Sequence, residues 1–228
     1  MRISSQVMCF AAKSYVLLLA GLLLASCMSS KGVVRVSSDE PNASWLDVVK
    51  NHTRRDEYYH YSNREADLRA TLVTPNLRRA FIQNRENFHG RASAEFASEV
   101  VTLGARPHDE FDGPNHEAAE VEAQVVIFVA FYAAQQRFRG LRSTDTQWDI
   151  LLSRNGSSHA PTTIERLRFS PALKDILPHL DRFDDVYILR FPFMDEAGKP
   201  FFTTDEHPLV LEIKSVVADL KVEWTLKE

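Results

Sequence analysis

Leu220, Val222, Trp224 and Leu226 alternate with Asp219, Lys221, Glu223, Thr225 and Lys227. Successive side chains of a strand point to opposite faces, so this stretch predicts a β-strand with one buried and one wetted face. Just upstream, Leu209, Leu211 and Ile213 take the odd positions, and the inward parity therefore flips near Ser215. No Gly, Pro or Asn lies there to make a tight turn, which predicts a β-bulge at the corner of a sandwich. Such a strand must find other strands to cover its apolar face.

The chain supplies them. Glu120-Val-Glu-Ala-Gln-Val alternates and passes into an apolar run ending at Ala134. Gln147 to Ile150 alternates too, in a strand that ends at the turn pair Asn155-Gly156. Thr162–Phe169 and Val186–Phe193 read as strands, Gly198-Lys-Pro200 as a turn, and Leu68–Thr74 as the first strand. Two helices interrupt the series. Thr74-Pro75 is a hydroxyl cap followed by proline, and Leu77, Phe81, Phe88, Ala92, Phe96, Val100 and Leu103 form one apolar stripe. This predicts a helix over 75–103, closed by Gly104 and Pro107. Ser170-Pro171 starts a second, near 171–182, with Leu173, Ile176, Leu177 and Leu180 on one face.

About seven strands without βαβ alternation exclude a parallel nucleotide-binding sheet. The fold expected over 45–228 is a single domain, mainly β with helical insertions. It is an antiparallel immunoglobulin-like β-sandwich with a long helix after the first strand.

The N-terminus speaks to location. Arg2 and Lys13 flank or precede an apolar stretch over 14–24, too short to span a bilayer, that closes on Leu24-Ala25-Ser26-Cys27. This end resembles the lipobox of bacterial lipoproteins. The resemblance implies a signal peptide over 1–26 and an acylated Cys27 that anchors the chain to a membrane. Met28 is not the aspartate linked to inner-membrane retention in enteric-type lipoproteins, which favours the outer membrane, facing the periplasm. Residues 28–44 are small and polar and read as a tether, with an r.m.s. span of roughly 20–25 Å as a flexible coil.

Removing 1–26 takes away Arg2, Lys13 and Cys9. It leaves 25 basic against 31 acidic residues, a net of −6 with His neutral. A chain so charged is not built to track a nucleic-acid backbone or an anionic lipid surface electrostatically. Cys27 is then the sole cysteine, so no intramolecular disulfide forms and the core alone must hold the domain. The partners expected are the membrane, through the anchor, and another envelope protein.

Chemistry-bearing motifs are sparse. The loop Arg106–Glu117 holds His108, Asp109, Asp112, His116 and Glu117, a donor set suited to zinc or calcium. His116-Glu-Ala-Ala-Glu120 departs from the H-E-x-x-H of zinc peptidases at its second ligand, and no EF-hand spacing is present. An acidic solvated loop is the preferred reading, with metal binding or metal-dependent hydrolysis as the competing class. Asn155-Gly-Ser-Ser-His159 lacks the G-x-S-x-G turn of a serine hydrolase, and there is no glycine-rich phosphate loop. Trp45, Tyr58, Tyr59 and Tyr61 offer amphipathic rings that could bind a glycan or peptide, but packing of the N-terminal segment onto the core is the preferred reading. No catalytic residue and no cofactor is expected.

Overall fold

The computed structural model describes residues 31–35, 44–83, 124–142, 146–194, 198, 200 and 207–227. Among them the strands are β1 (Lys31–Arg35), β2 (Thr53–His60), β3 (Asn63–Leu72), β4 (Gln124–Ala133) and β5 (Asp149–Arg154). Then follow β6 (Ser157–His159), β7 (Thr163–Leu167), β8 (Asp185–Pro192), β9 (Leu209–Lys214) and β10 (Asp219–Lys227). The helices are α1 (Trp45–His52), α2 (Pro75–Gln83) and α3 (Pro171–Ile176).

The strands make two five-stranded sheets, ordered β1-β10-β9-β5-β6 and β2-β3-β4-β8-β7. Every pairing is antiparallel except that of β1, which runs parallel to β10. The inner faces meet in one apolar core. Leu68 and Leu72 of β3, Ile127 and Phe131 of β4, and Leu189 and Phe191 of β8 pack there with Leu211, Val222 and Trp224 of the first sheet.

A second core lies on the far side of the second sheet. Val126 and Phe128 of β4 and Ile188 of β8 are buried there beneath Leu77 and Phe81 of α2 and Leu173 and Ile176 of α3. This explains the unbroken apolar run up to Ala134: β4 is buried on both faces, so no polar alternation survives. The layers are thus sheet, sheet and helices. The first sheet keeps its outer face in water, where Lys214, Glu212, Lys221 and Glu223 form a ladder of ion pairs.

Local signals act as their chemistry requires. Thr74 Oγ1 accepts the Leu77 N–H at 3.1 Å and Ser170 Oγ that of Leu173 at 3.1 Å, side-chain caps worth about 1 kcal/mol each. Asn155 (φ +47°) and Gly156 (φ +83°) turn β5 into β6, as an Asn-Gly hairpin must.

Several expectations are corrected. The helix starting at Pro75 follows the third strand, not the first: Leu68–Leu72 is only the second half of β3, and β1 and β2 precede it. Its expected continuation over 84–103 lies outside the described residues. The helix near 171–182 stops at Ile176, because Pro178 offers no N–H and biases Leu177 out of helical geometry, to φ −120°, ψ 78°. The parity flip is no bulge. Lys214 pairs with Asp219 across a four-residue turn in which Ser215 Oγ accepts the Val217 N–H at 3.1 Å, so serine does the work of a glycine or asparagine. Residues 31–35, expected within the tether, form β1, with Val34 wholly buried.

Candidate functional site

In β3, Ala66, Leu68, Ala70 and Leu72 fill the inter-sheet core, so Asp67, Arg69 and Thr71 project from the opposite face. The register sets Arg55 of β2 opposite Arg69 and Glu57 opposite Asp67. Asp67, only 1% exposed, becomes the centre of a charged cluster. Arg55 donates Nε–H to Oδ1 at 3.1 Å and Nη2–H to Oδ2 at 2.9 Å, a bidentate fork. Arg64 and Arg69 add Nη donors to Oδ2 at 2.9 and 2.8 Å. Arg64 also lies over the Tyr132 ring, 5.0 Å from its centre.

The cluster ties the sheet to the segment after α3. Arg69 Nη1 donates to the His179 carbonyl and approaches Asp184 Oδ2 at 3.3 Å. Asp184 also accepts the Asp181 N–H at 2.7 Å. Three cations (Arg55, Arg64, Arg69) meet three anions (Glu57, Asp67, Asp184), so the group carries no net charge of its own. Burial alone would push the Asp67 carboxyl up. The hydrogen bonds and charges of Arg55 and Arg69 outweigh that and hold it below the usual carboxylate range.

Beside the cluster opens a groove of about 850 Å³. Leu46, Val49 and Pro178 give it apolar walls, Lys50, Arg54, Arg55 and Arg69 bring four cations to it, and Asp47 one carboxylate. His179 completes the rim. Burial, with Arg69 in second place, lowers its pKa to about 4, so the ring is neutral at pH 7. Thr53 donates its hydroxyl proton to the Val49 carbonyl at 2.7 Å and therefore accepts from Thr71 at 2.8 Å. Thr71's proton is then committed, and it can only accept from His179 Nε2, 3.4 Å away. The histidine faces no hydroxyl with a proton to give up.

His52, the last residue of α1, is buried and bonded on both ring nitrogens. Nδ1–H donates to the Val48 carbonyl at 2.7 Å, which fixes Nε2 as the acceptor of the Thr74 hydroxyl at 2.7 Å. Burial, chiefly, lowers its pKa from 6.5 to about 4. Above pH 6.5 neither folded nor unfolded chain protonates this ring, and its contribution is complete. Between pH 6.5 and 4 the unfolded chain binds a proton that the folded one refuses, so stability falls as the solution is acidified. The loss should reach about 3 kcal/mol by pH 4. Urea unfolding at stepped pH should show this slope in wild type and a slope smaller by about one proton in His52→Gln. Equal slopes would sink the assignment.

The expected site residues are dispersed. Trp45 opens α1 and packs against the helix-side core, whereas Tyr58 packs against the inter-sheet core on the other face. Tyr59 and Tyr61 are exposed at the β2–β3 hairpin, with Tyr59 donating to Glu57 Oε1 at 3.3 Å. The four rings thus form no single platform. Cys27, His108, Asp109, Asp112, His116 and Glu117 lie outside the described residues. Among the described residues no cluster of three or more His, Cys, Asp or Glu could hold a metal ion. No described helix is long and apolar enough to cross a membrane. Comparison with protein-family models, with curated proteins and with solved structures finds no match.

Proposed function

We propose that this is a lipoprotein of the bacterial cell envelope, acylated at Cys27. Its immunoglobulin-like sandwich acts as a non-catalytic accessory module that binds another envelope protein. The observation that carries the reading is the junction of signal and fold. Leu24-Ala25-Ser26-Cys27 ends the apolar stretch, and β1 begins four residues beyond the cysteine. Met28 favours the outer membrane, with the domain facing the periplasm. The groove between α1 and Pro178–His179 is the contact surface, since its cations and apolar walls suit an acidic, partly apolar segment of the partner.

Cys27→Ser tests the anchor: the protein should leave the membrane fraction and appear as soluble or unprocessed chain. Retention in membranes at wild-type level would refute it. A photo-crosslinking residue at Leu46, in the groove, should capture a partner band that Lys50→Glu weakens. The same residue at Leu151, on the outer face of the first sheet, should not. Equal capture from both faces would reject the groove.

A further inference from the structure

We infer that one end of the sandwich, formed by the β2–β3 and β9–β10 hairpins, lies against the lipid bilayer; this rests on the acylation of Cys27 proposed above. Asp56 Oδ2 accepts the Lys221 N–H at 2.7 Å, and Trp224 Nε1–H donates to the His52 carbonyl at 2.9 Å. β2 therefore runs opposite to β10, and the β2–β3 turn at Tyr61–Ser62 shares an end of the molecule with the β9–β10 turn at 215–218. The strand pairings bring the start of β8, with Phe183 just before it, to that same end.

This end gathers the large apolar side chains that are most open to solvent. Among the described residues Tyr61 is 91% exposed, Val216 90%, Phe183 64% and Tyr59 50%; the next, Met194, lies at the opposite end of β8. Tyr61 holds φ +54° at the hairpin tip, a conformation for which glycine or asparagine is the unstrained choice. An aromatic ring is thus kept where the backbone disfavours it. Tyrosine suits the bilayer interface, its ring among acyl chains and its hydroxyl in water. Among the described residues around these tips, exposed Arg137, Arg139, Arg142 and Arg182 face exposed Asp149, Asp181 and Asp219, so their balance is not negative.

The chain itself delivers the lipid to this end. β1 runs parallel to β10, with Lys31 beside Glu223, so its N-terminus points toward the β9–β10 turn. Four residues span at most about 14 Å, which keeps Cys27 within that distance of Lys31. Lys31 pairs four residues along β10 from Asp219, about 13 Å at strand spacing, so the rim of this end is within that reach. Acyl chains fixed there hold the hairpin tips at the membrane. The groove beside Thr53 then stands about 25 Å away along β2 and stays clear for a partner.

The test uses full-length lipidated protein in phosphatidylglycerol and phosphatidylethanolamine vesicles. Acylation blocks the Cys27 sulfur, so a single introduced cysteine carries a fluorescent label at Tyr61→Cys, Val216→Cys or Met194→Cys. Labels at 61 and 216 should lose most of their emission to lipid-borne nitroxide, and the label at 194 should keep its own. If the protein floats with the vesicles but all three labels escape quenching, the orientation is wrong and the anchor stands. Protection at 61 and 216 that persists in detergent micelles without quenching assigns the end to a protein contact and also overturns it. A mature N-terminus without acyl mass overturns the anchor, and this inference with it.

Discussion

Asp67→Ala should lower the unfolding free energy by about 3–5 kcal/mol, the range for breaking a buried pair by removing one partner. The carboxylate is 1% exposed and takes four guanidinium hydrogen bonds, from Arg55, Arg64 and Arg69. Deleting it leaves Arg69, itself largely buried, facing two other cations with Asp184 as its one carboxylate partner beside the His179 carbonyl. Arg55 is 44% exposed and can turn to water, so its share of the loss is smaller. Asp67→Asn should cost less than alanine, since shape and two acceptor lone pairs remain while the charge is lost. The folded pKa lies below the unfolded one, so this stability is present above the usual carboxylate range and fades as pH falls below about 4. Chemical denaturation of the purified domain measures it. A loss under about 1 kcal/mol would show that the arginines already rest comfortably in solvent.

Trp224→Ala should cost a similar 3–5 kcal/mol by a different route. The indole is wholly buried between the sheets, on β10 between Gly32 of β1 and Leu209 of β9. Its Nε1–H reaches across to the His52 carbonyl at 2.9 Å, joining the first sheet to the junction of α1 and β2. Trp224→Phe separates the terms. It keeps most of the apolar volume but strands the carbonyl, and should cost about 1–3 kcal/mol. If phenylalanine and alanine proved equally damaging, the hydrogen bond and not the packing would hold the sheets together here.

The mainly β architecture was legible wherever a strand has one wet face. Leu220, Val222, Trp224 and Leu226 all lie in the core, as their alternation requires. Trp148, Val125, Ile127 and Leu189 are buried as expected. Legibility failed where burial comes from a distant partner. The short β1 shows only Val33, Val34 and the neighbouring Val36 as apolar sequence, and its pairing residue lies near the other end of the chain. The hairpin at Ser215 was misread because its hydroxyl supplies a bond that sequence rules assign to Gly or Asn.

The Asp67 cluster shows the same limit more sharply. In sequence Asp67 and Arg69 alternate with Ala66, Leu68 and Ala70, which is how a solvent-washed strand face also looks. Only the partners distinguish the two cases, and they are Arg55, twelve residues back, and Asp184, more than a hundred ahead. Of the four aromatics read as packing residues, Trp45 and Tyr58 do pack on the two cores, while Tyr59, on the opposite face from Tyr58, and Tyr61 at the turn stay exposed.

The pairing of β1 with β10 also sets the order of events when the chain is made. Lys31 leaves the ribosome 192 residues before Glu223, the residue it will lie beside. Until then that rim of the sheet has no finished neighbour, and β9 and β5 can pair without it. Closing so wide a loop is slow more than it is costly, because loop entropy grows only with the logarithm of length. Among the described strands, the last in the chain is therefore the one that captures the first. A chain truncated before residue 219 would lack the edge that β1 pairs with, and β1 would be left open to proteases.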